Sequence, residues 1–183
     1  ERDVGNEIIG IDADLVFRDS AHTFDFTFGI DGKNFWSPKG NFLAYYRMDQ
    51  STVTDYPIID WTTRPAKNEN IKYPMAGNKS HHVTLGVYDI KTNKTIFVKT
   101  EGDPEQYLTN IAWSPDEKHI YIAVLSRTQN DMKLNEYDAG TGAFVKTLFE
   151  EKDEKYIEPL NAMLFVKNNP KQFIWQSRRD GFN

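Results

Sequence analysis

Two stretches of this chain repeat one pattern of apolar and polar positions. Phe35-Trp36-Ser37-Pro38-Lys39-Gly40-Asn41 runs into Phe42-Leu43-Ala44-Tyr45-Tyr46, and Ala112-Trp113-Ser114-Pro115-Asp116-Glu117-Lys118-His119 runs into Ile120-Tyr121-Ile122-Ala123. In each, an aromatic anchor precedes a Ser-Pro turn, a polar tip follows, and an apolar run closes the unit. A short apolar run bounded by turn residues predicts a buried strand. A second repeat supports the first. An alternating segment ends in Tyr88-Asp89, another ends in Tyr137-Asp138, and a tight turn and a new strand follow both. Gly140 and Gly142, with Asn93 in the first copy, are expected to supply the positive φ of these turns. The unit is strand, turn, strand, Tyr-Asp turn, strand, which is most of a four-stranded β-propeller blade.

The predicted fold is therefore all-β: about three blades of a propeller, forming an open arc. Residues 1–34 hold short apolar segments and the alternating Thr23-Phe24-Asp25-Phe26-Thr27-Phe28, read as poorly defined strands. A first blade is expected over residues 35–100, a second over 105–150, and a truncated third over 156–183. Trp36, Trp113 and Trp175 are expected to pack between blades. The first blade carries an insertion, residues 49–80, that the second lacks. It contains Tyr56-Pro57-Ile58-Ile59-Asp60-Trp61 and Ile71-Lys72-Tyr73-Pro74-Met75. A long insertion rich in aromatic and apolar residues reads as an arm that docks on a partner rather than as a disordered loop. Trp61, on that arm, is a candidate hot spot. The chain starts without methionine and stops after a hairpin-like turn, Ser177-Arg178-Arg179-Asp180-Gly181, so a piece of a longer protein is expected.

Composition narrows the function classes. The net charge of −5 argues against a nucleic-acid partner. There is no cysteine, hence no thiolate or disulfide chemistry. No apolar run approaches the length of a membrane helix. No cofactor or metal site is predicted: His81-His82 are adjacent in a strand and point to opposite faces, and Asp12-Ala13-Asp14 lacks the glycine and oxygen ligands of a calcium loop. Glu150-Glu151, Lys152-Asp153-Glu154-Lys155 and His119 read as solvated surface. Asn78-Lys79-Ser80 and Asn93-Lys94-Thr95 are glycosylation sequons in form only.

From Phe35 onward the chain resembles the bacterial dipeptidyl peptidase IV family, serine exopeptidases of the prolyl oligopeptidase clan. The matching stretches are residues 35–41, Leu43-Ala44-Tyr45-Tyr46-Arg47-Met48-Asp49-Gln50-Ser51, Ile71-Lys72-Tyr73-Pro74-Met75-Ala76-Gly77, residues 107–115 and residues 174–182. The resemblance implies an eight-bladed N-terminal propeller joined to a C-terminal α/β-hydrolase domain, in a periplasmic or secreted homodimer. It implies that the insertion is the dimer arm, with Tyr56, Trp61, Tyr73 and Pro74 as its contact residues. It also implies a pair of glutamates, upstream of the Trp-Ser-Pro strand, that hold the free N-terminal amine of the peptide substrate. Here the matching region reads Val16-Phe17-Arg18-Asp19-Ser20, with Arg18 where a carboxylate is expected. Asp19 and Asp25 are the candidate amine-binding acids, and Glu158, in Tyr156-Ile157-Glu158-Pro159-Leu160-Asn161, matches a loop lining the substrate pocket.

The nucleophile of that clan stands in Gly-x-Ser-x-Gly, and no serine of this chain does. No catalytic residue is therefore assigned, and this segment alone is expected to be inactive. The alternative reading is a non-enzymatic propeller scaffold at the cell envelope, which Arg18 favours because a fixed cation repels an ammonium.

Overall fold

The computed structural model describes residues 34–167 and 169–181. Over these residues the chain forms strands and no helix. They are β1 (Phe35–Trp36), β2 (Phe42–Asp49), β3 (Asp55–Asp60), β4 (Lys67–Lys72), β5 (His82–Asp89), β6 (Lys94–Phe97), β7 (Tyr107–Trp113), β8 (His119–Leu125), β9 (Asp131–Asp138), β10 (Phe144–Lys152), β11 (Leu164–Val166) and β12 (Asn169–Ile174). Two four-stranded antiparallel meanders result, ordered β1-β2-β5-β6 and β7-β8-β9-β10. β3-β4 and β11-β12 are separate two-stranded hairpins. The segments at residues 1–33 expected to be strands lie outside the described residues, and so do Asp19 and Asp25.

The repeated Ser-Pro signature has a common hydrogen-bond basis. In the first copy the Phe42 amide donates to Ser37 Oγ (2.9 Å) and the Gly40 amide to Ser37 O (2.9 Å). In the second the His119 amide donates to Ser114 Oγ (3.0 Å) and the Glu117 amide to Ser114 O (3.0 Å). The fourth residue of each turn has positive φ, 75° at Gly40 and 65° at Glu117. The Tyr-Asp turns match in the same way. Asp89 Oδ1 accepts from the Lys91 amide (2.8 Å), Asp138 Oδ1 from the Thr141 amide (2.8 Å), and positive φ falls at Asn93 and Gly142. Gly140, expected to share that role, keeps an ordinary φ, because the turn places its one left-handed residue four positions after the aspartate.

Strand alternation makes each sheet two-sided. On β8, Ile120 and Ile122 face the first sheet, where they meet Ala44, Leu85 and Val87, while Tyr121, Ala123 and Leu125 face the β11–β12 hairpin. Both faces are apolar because both are covered. Burying each such isoleucine contributes about 1.5–3 kcal/mol. At the first junction Trp113 stacks on Phe42 (centroids 5.9 Å apart) and donates Nε1–H to Phe35 O (2.9 Å). Tyr46 donates its hydroxyl to Leu108 O (2.7 Å) across the same junction. At the second, Tyr121 meets Phe165 edge-on (5.6 Å), and Phe149 packs against Phe173 and Trp175.

Two of the three tryptophans thus sit between sheets. Trp36 differs: it is half exposed, on the face of β1 turned away from the second sheet, and its neighbour Phe35 packs into the junction through Tyr46. The pleat turns both the same way: Trp113 points back onto the sheet before it, and Trp36, at the same place in its own unit, points away from the sheet after it and stays half exposed among the described residues.

Candidate functional site

The insertion leaves the first sheet at the last pair of an unbroken β2–β5 ladder, Asp49↔His82. Its neck is closed by Thr52 Oγ1 donating to Ser80 O (3.2 Å) and by the Ser80 amide donating to Glu105 Oε1 (2.9 Å). Beyond the neck, β3 and β4 pair over six residues, Asp55↔Lys72 to Asp60↔Lys67, with hydrogen bonding to neither four-stranded sheet. The Lys72 ammonium pairs with Asp55 (2.9 Å) and bonds to Val53 O (3.0 Å) at the root. One ribbon face carries Tyr56, Ile58 and Ile71. Tyr73 joins it, its ring 5.6 Å from that of Tyr56. Ile59 lies on the other face, and Trp61 follows the strand. Trp61 is 81% exposed and Ile59 57%, while Pro74 is half-buried. A two-stranded ribbon has no layer of its own to bury such groups against, so Tyr56, Tyr73 and Trp61 stay exposed in this chain.

At the root of the ribbon, a cleft of about 700 Å³ runs between the two four-stranded sheets toward the segment that follows β10. Phe35, Tyr46, His81, Glu105, Asn110 and Glu158 are among its walls. Glu105 lies 3.8 Å from the Arg127 guanidinium, which also sits over the Tyr107 ring and donates to its hydroxyl. Burial, with the Arg127 charge second, lowers the pKa of His81. His82, next along the chain, begins β5. Among the described residues no group of three or more His, Asp or Glu is placed to hold a metal ion. Glu158 is exposed, paired with Arg178 at 2.9 Å, and it also lines a second cleft, beside the end of β10.

Three acidic or basic residues read as solvated, or passed over, are drawn into the packing instead. Glu117 is buried at the tip of the second Ser-Pro turn, and its carboxylate reaches back to the first. It accepts from Ser37 Oγ (2.5 Å), the Lys39 amide (2.6 Å) and Asn41 Nδ2 (2.5 Å). Burial pushes its pKa up, but the bonds from Ser37, Asn41 and the backbone outweigh that and hold the carboxyl below its usual range. His119 is not free in solvent: its Nδ1 lies 3.2 Å from Glu136, which also pairs with Lys146 at 3.5 Å. Burial and the Glu136 carboxylate push the Tyr121 hydroxyl up to about 12. Glu151 is the third, with its side chain only 9% accessible. On β10, Glu150 faces out and pairs with Lys133 (3.6 Å), whereas Glu151, two residues after Phe149, turns toward the second junction. A period of two places one acid of an adjacent pair outside and the other inside, and Phe149 marks the inner side.

The chain matches the family model of the dipeptidyl peptidase IV (DPP IV) N-terminal region over residues 27–183. It is 49% identical to a solved chain from Bacteroides ovatus assigned as a dipeptidyl aminopeptidase IV, with a TM-score of 0.77 over 81% of this chain and 21% of that one. Against Porphyromonas gingivalis dipeptidyl peptidase 4 the identity is 25% and the TM-score 0.69, covering 80% of this chain and 21% of that one. Among curated proteins, the "Probable dipeptidyl-aminopeptidase B" of Pyrenophora tritici-repentis is 28% identical over 92% of this chain and 21% of its own length. The all-β architecture and these matches define a segment of a peptidase propeller region. The chain belongs to the dipeptidyl peptidase IV N-terminal region family, and it spans about a fifth of the length of the relatives it matches.

Proposed function

We propose that this chain is part of the eight-bladed propeller of a periplasmic or secreted dipeptidyl-peptidase-IV-like serine exopeptidase. The two meanders are successive blades and β11–β12 belongs to a third. This segment lines the route to a hydrolase domain carried elsewhere in the protein, and it contributes to recognition of the peptide's N-terminal amine through Asp19, Asp25 and Glu158. The β3–β4 ribbon is its dimer arm. No catalytic triad lies in this segment, so it is inactive alone. The observation that carries the reading is the β3–β4 ribbon, followed directly by Tyr73-Pro74-Met75-Ala76-Gly77, in a chain 49% identical to the Bacteroides protein over 81% of its length.

The test is turnover of a chromogenic Gly-Pro substrate by the intact protein, with Asp19→Ala and Asp25→Ala beside the wild type. The expected result is turnover, with a raised KM in at least one variant. A folded wild type without turnover overturns the peptidase reading. It would favour the second one, a propeller scaffold at the cell envelope, for which Arg18 beside Asp19 speaks.

A further inference from the structure

The β3–β4 ribbon hydrogen-bonds to neither four-stranded sheet, so its attitude depends on the few contacts at its root. Ser80 is central to them: it is buried, its carbonyl accepts from Thr52 Oγ1, and its amide donates to Glu105 Oε1. His81 follows, half-buried in the wall of the cleft between the sheets. Its Nδ1 is shut off from solvent and has no hydrogen-bond partner among the described residues. Charged and titratable groups act on it from several elements: Glu105 before β7, Arg127 between β8 and β9, and His82 beside it in the chain. Tyr46 of β2, Tyr107 of β7 and Glu158 after β10 line the same cleft. Glu105, the anion closest in effect, is already committed, with one oxygen on the Ser80 amide and the other 3.8 Å from Arg127. A neutral imidazole suits this place and an imidazolium does not, because charging adds a second N–H donor and a positive charge beside Arg127 in a half-buried position. Burial first, then the Arg127 charge, hold the pKa of His81 below its ordinary value of 6.5, and Glu105 opposes them only in part.

We propose that His81 makes the neck of the ribbon a proton-operated latch, closed while the imidazole is neutral and released when it is charged. The charged ring has two ways to be satisfied. It leaves the cleft wall for water and carries the adjoining Ser80 backbone with it, or it draws the Glu105 carboxylate off the Ser80 amide. Either way the bond between Ser80 and Glu105 is lost, and the ribbon swings about its root. In the closed neck His81 titrates below the value it has when free. The closed state is therefore fully stable above about pH 6.5 and loses ground as pH falls from there through the value in the closed neck. The ribbon then presents one attitude at neutral pH and many at mildly acid pH. The latch is a property of the ribbon's root and does not depend on the peptidase reading.

The experiment is peptide-resolved hydrogen exchange of the intact protein in steps from about pH 8 to about pH 5, corrected for the intrinsic pH dependence of exchange. The segment holding the Ser80 amide is compared with β8, which serves as an internal reference and shows that each variant is folded. Protection of that segment relative to β8 should fall at least about threefold toward acid pH. His81→Gln, neutral throughout, should abolish the fall, and His82→Gln should keep it. Removing a neighbouring charge should move the fall in opposite directions: Arg127→Gln to higher pH, Glu105→Gln to lower pH. A wild-type ratio that stays flat across the range overturns the latch. So does a fall that survives in His81→Gln, or one that disappears in His82→Gln, because the charge would then belong to another group. Shifts of one sign in Arg127→Gln and Glu105→Gln overturn it as well.

Discussion

Glu117 is the point at which one side chain couples two sheets, and its removal has a calculable effect. Three donors from the first Ser-Pro turn converge on its carboxylate at 2.5–2.6 Å. A hydrogen bond to a charged group contributes about 1.5–3 kcal/mol net, and bonds sharing one acceptor do not add fully. Glu117→Ala is therefore expected to cost about 3 kcal/mol at this junction. Against this stands the backbone: φ at Glu117 is 65°, where an L-residue carries a penalty of about 1 kcal/mol. The matching residue of the first turn is Gly40, which bears no such penalty. Glu117→Gly should accordingly lose about 1 kcal/mol less than Glu117→Ala. The pH dependence has a definite sign. The folded pKa lies below the unfolded value, so the contribution is complete above about 4.5, the ordinary glutamate value, and disappears as pH falls through the folded value. Glu117→Gln should flatten that acid limb. Hydrogen exchange of the amides between Ser37 and Phe42 reads the junction locally in the intact protein, and 3 kcal/mol corresponds to exchange faster by roughly a hundredfold. Exchange within a factor of about two of wild type in Glu117→Ala, or faster in Glu117→Gly than in Glu117→Ala, would refute the reasoning.

Other perturbations test the same framework. Gly142→Ala puts a Cβ 2.5 Å from Phe97 O at a φ of 70°, so it should lower the thermal midpoint clearly, by an amount equivalent to about 2 kcal/mol or more. Tyr46→Phe leaves Leu108 O without its donor across the first junction and should cost about 1–2 kcal/mol in urea unfolding, whereas an unchanged midpoint would show that water replaces the hydroxyl. Trp61→Ala should leave thermal stability unchanged because the side chain is in solvent; on the proposal that the ribbon is a dimer arm, it should also shift the intact protein toward monomer in light scattering, and an unchanged oligomeric state at low concentration removes Trp61 from that role.

What the sequence made legible was local. Ser37 and Ser114 hold their turns through bonds to residues three to five positions away, so Trp-Ser-Pro predicts the same turn twice. The strand pairs follow, because the Tyr-Asp turns set the register on the other side. The insertion was visible as an interruption in that spacing, and its exposed aromatics in its composition. Side-chain burial was less legible, since it depends on which sheet lies opposite. Trp36 and Trp113 share a motif and differ in cover. Glu117 and Glu151 look like surface acids in any window of their own neighbours, and only the stacking of sheets brings Ser37 to one and encloses the other. A positive φ at a non-glycine tip is the one signal that singles out Glu117, and it is invisible until the Gly40 alignment is read as a conformational demand. Asp19 and Asp25 lie outside the described residues, so the proposal that they hold a substrate amine rests on the sequence alone.

The way the ribbon joins its sheet has an evolutionary consequence. The ladder between β2 and β5 is complete on the sheet side of Asp49↔His82, and everything inserted lies beyond that pair. Lengthening a closed loop costs only about 0.6 kcal/mol for each doubling. Beyond the neck at Thr52 and Ser80 the ribbon is thus a cassette: a lineage can trade it for a short turn, or for a different ribbon, and keep the same sheet. Sequence change at the tip is free to run without dragging the stability of the sheet behind it.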